Sequence, residues 1–126
     1  MPWTEAEKSA FISMQFEAQD AAYRMTYPDG RFLIVLGDGE PIGRLYLARL
    51  DDEIRIVDIA LLPQHRGAGI GSRLIDDVIA EADSAGLAVR LHVEPWNPAL
   101  RLYERRGFRV VAERGAYLFL ERPPVS

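Results

Sequence analysis

Arg66-Gly67-Ala68-Gly69-Ile70-Gly71-Ser72 is the stretch of this chain whose residue types and spacing point most directly to chemistry. It lies between an apolar run, Ile54 to Leu62, that reads as a strand, and an amphipathic run beginning near Ile70 that reads as a helix. A glycine-rich turn feeding a helix N-terminus offers unpaired backbone N–H groups and the positive end of the helix dipole, a ready seat for a pyrophosphate. Glycine lets the backbone approach the anion with no Cβ in the way, and Arg66 adds a charge-assisted donor. The bland alternative is a helix start that is glycine-rich for tight packing. Two common phosphate loops are excluded. A P-loop needs a lysine after its last glycine, and the only lysine is Lys8. A dinucleotide loop needs Gly-x-Gly-x-x-Gly and a following strand with an acid, whereas here the spacing is Gly-x-Gly-x-Gly and the next strand carries Arg90 and His92. What remains is Arg-x-x-Gly-x-Gly, read as Arg66, Gly69 and Gly71.

Asp58 is the second candidate. It sits in an otherwise apolar strand, Ile56-Val57-Asp58-Ile59-Ala60-Leu61, where a carboxylate needs a partner. It is either a base or the partner of His92 or of an arginine on a neighbouring strand.

The elements that position these residues follow from pattern. Thr4 and Glu7 form a capping box, and Phe11, Met14, Ala18, Ala21 and Met25 share one helical face. Tyr27-Pro28-Asp29-Gly30 breaks that helix. Strands are expected over Phe32–Leu36, Ile42–Leu50 and Ile54–Leu62, joined by turns at Gly37–Pro41 and Asp51-Asp52 into an antiparallel meander. The helix after the glycine loop carries Ile70, Leu74, Ile75, Val78, Ile79 and Ala82 on one face and ends at Gly86. Leu87–Val93, reached by that crossover helix, is expected parallel to Ile54–Leu62. Asn97-Pro98 reads as N-cap and first turn of a short helix running to Arg106, closed by Gly107. A last hairpin pairs Phe108–Ala112 with Tyr117–Leu120 around Glu113 to Ala116.

At 126 residues, with 48% apolar residues, the chain is expected to form a single domain, 1–126, with a core of its own. With no cysteine there is no disulfide, thiolate metal site or cysteine nucleophile. No apolar run approaches the ~20 residues of a membrane span, and the first residues lack the pattern of a signal peptide. A cytoplasmic protein with no membrane partner is expected. The net charge of −4 argues against a nucleic-acid partner. Arg101, Arg105, Arg106 and Arg109 cluster locally and read as a solvated face, with a phosphate contact by Arg101 or Arg105 as the alternative.

A second motif gives the first a context. Asn97-Pro98-Ala99-Leu100-Arg101-Leu102-Tyr103-Glu104-Arg105-Arg106-Gly107-Phe108 follows the glycine loop with one helix and one strand between. In that order the two motifs resemble the signatures of the GCN5-related N-acetyltransferase (GNAT) superfamily. The resemblance covers roughly Phe32 to Leu120 and the preceding helix, and looks closest to bacterial members whose acceptor is unassigned. It implies an α/β (α+β) acyl-CoA N-acyltransferase fold: a mixed, mostly antiparallel sheet with a splayed parallel central pair, flanked by helices.

The resemblance also implies roles. Acetyl-CoA is the co-substrate, and no metal is called for. Its pantetheine arm would pair with the backbone of Ile59, Ala60, Leu61 and Leu62, and its pyrophosphate would sit on Arg66, Gly67, Ala68, Gly69, Ile70, Gly71 and Ser72. Asn97 would meet the pantetheine. Tyr103 matches the family tyrosine that protonates the departing thiolate, for which a phenol of pKa ~10 is suited; its alternative is a packing aromatic. His92 occupies what looks like the position of the glutamate base of ribosomal-protein acetyltransferases, and an imidazole of pKa ~6.5 suits an amine proton. It is either that base or a hydrogen-bonded sheet histidine, with Asp58 and Glu94 as rivals. Arg55 stands where histone-type members carry their base and cannot accept a proton.

Two departures accompany the resemblance. The chain looks short of the family's first strand and helix, which predicts an exposed edge at Phe32–Leu36 and either a homodimer or an opened, weakly selective site. The Asn97-to-Tyr103 spacing is one residue shorter than the commoner one, which shifts the contact of Asn97. The leading expectation is an N-acetyltransferase acting on a small-molecule or peptide primary amine by direct attack in a ternary complex. The alternative is a non-catalytic acyl-CoA-binding module or inactive member, which would bind without releasing thiol. Loop acids at Asp29, Asp38, Asp51 and Asp52 hint at a cationic acceptor or are merely solvated turns.

Overall fold

The computed structural model describes Thr4, Ala6, Glu7, residues 30–67 and residues 69–125. Its elements are β1 (Arg31–Gly37), β2 (Glu40–Arg49), β3 (Glu53–Leu61), a 3₁₀ turn (Pro63–His65), α1 (Ile70–Ala85), β4 (Ala88–Val93), α2 (Ala99–Arg105), β5 (Arg109–Arg114) and β6 (Tyr117–Arg122). The strands form a sheet in the order β1-β2-β3-β4-β6-β5. The pairs β1–β2, β4–β6 and β5–β6 are antiparallel and β3–β4 is parallel, the mixed architecture expected from the sequence. The residues fall into two compact units, 1–48 with 57–71, and 49–56 with 72–126.

In the first unit, the β1–β2 turn is tighter than expected. Gly37 pairs with Glu40, leaving only Asp38 and Gly39 between, both at positive φ (52° and 81°). That is the two-residue turn whose twist matches a hairpin. Ile42 to Ala48 of β2 are all buried, and Arg44 among them is neutralised by Asp58 of β3. The chain leaves β3 with Leu62 fully buried, its N–H donating to the Ile42 carbonyl (2.8 Å). Leu33, Ile34 and Leu36 on β1 are exposed, in keeping with an edge at this end of the described sheet. The capping box is present: Thr4 N–H donates to Glu7 Oε1 and Glu7 N–H to Thr4 Oγ1. The helical face from Phe11 to Met25 and the breaker at Tyr27–Asp29 lie outside the described residues.

In the second unit, β3 pairs with β4 from Glu53↔Ala88 to Ile56↔Leu91, and the ladder ends there. Ile54, Ile56, Val89, Leu91, Val93 and Leu120 are buried, and α1 buries Ile75, Val78 and Ala82 at helical spacing. Arg122 of β6 ties to Asp83 of α1 at 2.6 Å, and Arg106 to Asp76 at 2.7 Å. The alternate residues Glu53, Arg55, Arg90 and Glu121 share a face. There Glu53 takes Arg55 in a bidentate pair (3.0 and 2.9 Å), while Arg90 reaches Glu121 (2.8 Å), Glu53 (3.4 Å) and Asp52 (3.5 Å). Asp52, expected as a solvated turn or a magnet for a cation, is part of this network. The last hairpin is also tighter than expected. β5 continues to Arg114, which pairs with Tyr117, because Gly115 takes a positive φ and closes a two-residue turn.

Candidate functional site

The glycine loop belongs to the first unit. Gly67 and Gly69 have φ of 81° and 80°, and a Cβ at either would meet nothing within 4 Å. Backbone conformation, not crowding, therefore demands glycine at both. Gly71, in the first turn of α1, differs: its φ is ordinary and a Cβ would meet only Leu61 Cδ1 at 3.9 Å. Nothing described in the protein requires glycine there, so its small size leaves room for a group from outside. Successive backbone N–H groups around positive-φ residues form an anion-binding concavity. The first turn of α1 carries no acidic side chain to compete. Arg66 is exposed, and its Nε donates to the Leu61 carbonyl (3.2 Å), tying the loop back to β3. Of the backbone groups expected to meet pantetheine, the Leu61 carbonyl and the Leu62 N–H thus already have partners. Ile59, Ala60, Leu61, Ile70 and Ser72 are half-buried. Ala68 lies outside the described residues.

Asp58 takes the arginine alternative left open by the sequence. Its Oδ2 accepts from Arg44 Nε at 2.5 Å, with Arg44 buried. One oxygen of this carboxylate is therefore committed to an ion pair with a buried guanidinium.

The second unit holds the other candidates. Tyr103 is fixed by how α2 ends. Phe108 N–H donates to the Tyr103 carbonyl (3.1 Å) and Gly107 N–H to the Glu104 carbonyl (3.1 Å), with Gly107 at φ 90°. This is the Schellman arrangement, and its accompanying apolar contact is the edge-on packing of Phe108 against the Tyr103 ring, centroids 5.5 Å apart. The Gly-Phe pair that closes the second motif is therefore what sets the tyrosine. Tyr103 is 5% exposed, and burial, then the charge of Glu94, pushes its phenol up to about 12. Its hydroxyl has no hydrogen-bond partner among the described residues, yet no buried side-chain oxygen or nitrogen there is left unpartnered. The hydroxyl accordingly retains contact with solvent.

Asn97 caps α2. Its Oδ1 accepts from Ala99 N–H (2.9 Å) and its Nδ2 donates to Glu94 Oε2 (2.9 Å). One acceptor and one donor of the amide are thereby committed to holding this turn, and Glu94 is fixed beside the tyrosine it influences.

His92 is exposed on β4, directly opposite Phe119 of β6, and the two rings lie 4.7 Å apart. Desolvation, then the charges of Arg55 and Arg114, lower its pKa below the usual imidazole value, against an opposing pull from Glu53. It is thus neutral at pH 7, the form that accepts a proton. It has no hydrogen-bond partner among the described residues, which disfavours the bonded sheet-histidine alternative. Sequence reasoning did not single out Phe119, Arg114 or Trp96. The first two meet His92 only through strand register. Trp96, 77% exposed in the turn before α2, was legible as an unpatterned aromatic between Pro95 and Asn97.

No helix among the described residues is long and apolar enough to cross a membrane. The profile of the acetyltransferase (GNAT) family matches residues 2–108. Solved structures agree in fold. The PaiA N-acetyltransferase of Thermoplasma acidophilum, in complex with coenzyme A, superposes with a TM-score of 0.69 at 20% identity, over 98% of this chain and 80% of that one. Ard1 from Thermoplasma volcanium gives 0.73 at 19% identity, over 100% and 97%. A GNAT family acetyltransferase from Elizabethkingia anophelis, with acetyl-CoA bound, gives 0.67 at 21% identity, over 85% and 82%.

Proposed function

We propose that this chain, which belongs to the acetyltransferase (GNAT) family, moves the acetyl group of acetyl-CoA to a primary amine by direct attack in a ternary complex. The observation that carries the reading is the Tyr103 phenol, buried at the ring, open at the hydroxyl and pushed up to about 12. A phenol in that state is protonated throughout the neutral range and presents its O–H as a donor to the departing sulfur. Acetyl-CoA supplies the activated thioester. The amine nitrogen bonds to the thioester carbonyl carbon, the carbon–sulfur bond breaks, the amine proton passes to a base and the thiolate takes a proton from Tyr103. The neutral imidazole of His92 serves as base better than Asp58, which Arg44 engages.

The loop Arg66–Ser72 would hold the pyrophosphate on backbone N–H groups around Gly67 and Gly69, with room at Gly71 for close approach. The backbone of Ile59 to Leu62 would serve pantetheine. That other family structures hold coenzyme A or acetyl-CoA supports this assignment. The test has two stages. Calorimetric titration of acetyl-CoA, with dephospho-CoA and pantetheine as controls, should show binding that depends on the pyrophosphate. Thiol release should then require an amine from a mixed panel. Binding without thiol release from any amine would favour a non-catalytic acyl-CoA module; absence of binding would end the reading.

A further inference from the structure

We propose that Arg114 holds a carboxylate of the acceptor, so that the acceptor is a small amine carrying a carboxylate close to its amino group, as an amino acid does. The inference deepens the transferase reading and rests on it. It starts from Phe119, a buried ring in contact with three cationic or ionisable groups. The His92 ring lies 4.7 Å from it, Arg114 Cζ 4.0 Å from its centroid and Arg55 Cζ 5.1 Å. The other guanidiniums of its sheet face already hold carboxylates: Arg55 holds Glu53, and Arg90 holds Glu121, Glu53 and Asp52. Arg114 is the exception. It is exposed, and among the described residues it has neither a carboxylate within ion-pair distance nor a hydrogen-bond partner.

Position and chemistry make that exception useful. Arg114 ends β5, opposite Tyr117, at the same end of the sheet toward which β4 runs through His92 to Val93. Cation–π contact with Phe119 restrains the guanidinium without occupying its N–H donors. A restrained guanidinium with free donors is suited to a planar carboxylate, which it can grip with two parallel hydrogen bonds. The proposed base, His92, touches the same ring. His92 and Arg114 thus both contact one phenyl ring, at 4.7 and 4.0 Å, so an acceptor with its amine at His92 and its carboxylate at Arg114 must carry the two groups close together. The loop acids had suggested a cationic acceptor. Asp52 lies within ion-pair distance of Arg90 and Asp38 in a tight turn, and on the face bearing His92 the guanidinium without a carboxylate is Arg114.

The test uses the full chain. N-acetylglycine and N-acetylglycinamide are titrated while the ring signals of the two histidines are followed by NMR, that of His92 being identified by its loss in His92→Gln. The acid should shift the His92 signal saturably and the amide should not. In Arg114→Gln the dissociation constant for the acid should rise at least about tenfold, as losing a charged hydrogen-bonded pair implies, with Arg114→Lys between the two. Equal responses to acid and amide, or an acid response indifferent to Arg114, overturn the proposal. A second arm measures thiol release from acetyl-CoA with amino acids, their amides and a Glu-leading peptide amide. The free acids should exceed their amides in kcat/KM, with the ratio falling in Arg114→Gln; preference for the peptide would overturn the small-acceptor assignment. Turnover of amines with no preference for acids overturns the carboxylate site and leaves the transferase reading standing. Arg114-dependent binding of N-acetylglycine with no thiol release from any amine does the reverse.

Discussion

Tyr103→Phe separates a proton donor from a packing aromatic, because the substitution removes only the hydroxyl. The ring keeps its edge-on contact with Phe108, and the Schellman bonds that end α2 run through the backbone. No described residue bonds the hydroxyl, so stability at pH 8 should stay within about 0.5 kcal/mol of the parent. The pH dependence should differ. In the folded chain the phenol is pushed up to about 12, from 10.0 when free. The folded state therefore holds the proton more tightly than the unfolded one. That contribution is fully present below pH 10 and is lost as pH rises through the folded value. At 1.36 kcal/mol per unit, the gap amounts to about 3 kcal/mol of stability that the parent forfeits on the alkaline side and Tyr103→Phe does not. Urea unfolding at pH 8, 10 and 11 reads the part of it developed by pH 11, about 1.4 kcal/mol. Turnover should fall about 10²- to 10⁴-fold, the range for losing a general acid, with acetyl-CoA affinity barely changed. Superimposable pH–stability curves would refute the burial argument. Unchanged turnover would remove Tyr103 from the acid role.

Other perturbations test the remaining parts. Gly67→Ala and Gly69→Ala should each cost roughly 1–2 kcal/mol through forced positive φ and weaken acetyl-CoA in calorimetry, whereas Gly71→Ala should fold normally and weaken acetyl-CoA alone. Asn97→Ala should destabilise the chain by about 0.5–2 kcal/mol in urea unfolding as the cap on α2 is lost. Since burial, Arg55 and Arg114 hold His92 below the usual imidazole pKa, kcat/KM should fall only as pH drops below ~6.5, the free imidazole value. Arg114→Gln should move that acid limb upward, and His92→Gln should abolish it; a limb that survives His92→Gln would exclude the histidine as base. Asp58→Asn should lower stability by about 1–3 kcal/mol by weakening the grip on buried Arg44, with turnover per folded molecule retained.

What could be read from the sequence shares one physical property: it is fixed by neighbours along the chain. The glycine loop, the capping box, the ends of α1 at Gly86 and of α2 at Gly107, and the cap at Asn97 each depend on a few adjacent residues whose backbone needs their types announce. Strand positions followed from alternation and burial, which shifted only their ends. By composition Glu113 to Ala116 reads as a polar, small turn that takes in Arg114. Gly115 at positive φ tightened that turn and returned Arg114 to the sheet.

The acceptor side has the opposite property. His92, Phe119 and Arg114 come from three different strands, and their meeting depends on register: His92 against Phe119, Phe119 against Ala112, and an irregularity between Val110 and Ala112 that sets which residues of β5 share the face of Phe119. A single-residue slip would send alternate side chains to the other face. The same holds for Arg44 and Asp58, fourteen residues apart and joined across neighbouring strands. Coenzyme recognition by backbone and helix ends can therefore be written in short motifs, and members of one family share them. Acceptor recognition is written in pairings that no local pattern declares. If Arg114 binds a carboxylate, this chain's selectivity comes from a position that a motif comparison would have passed over as hairpin.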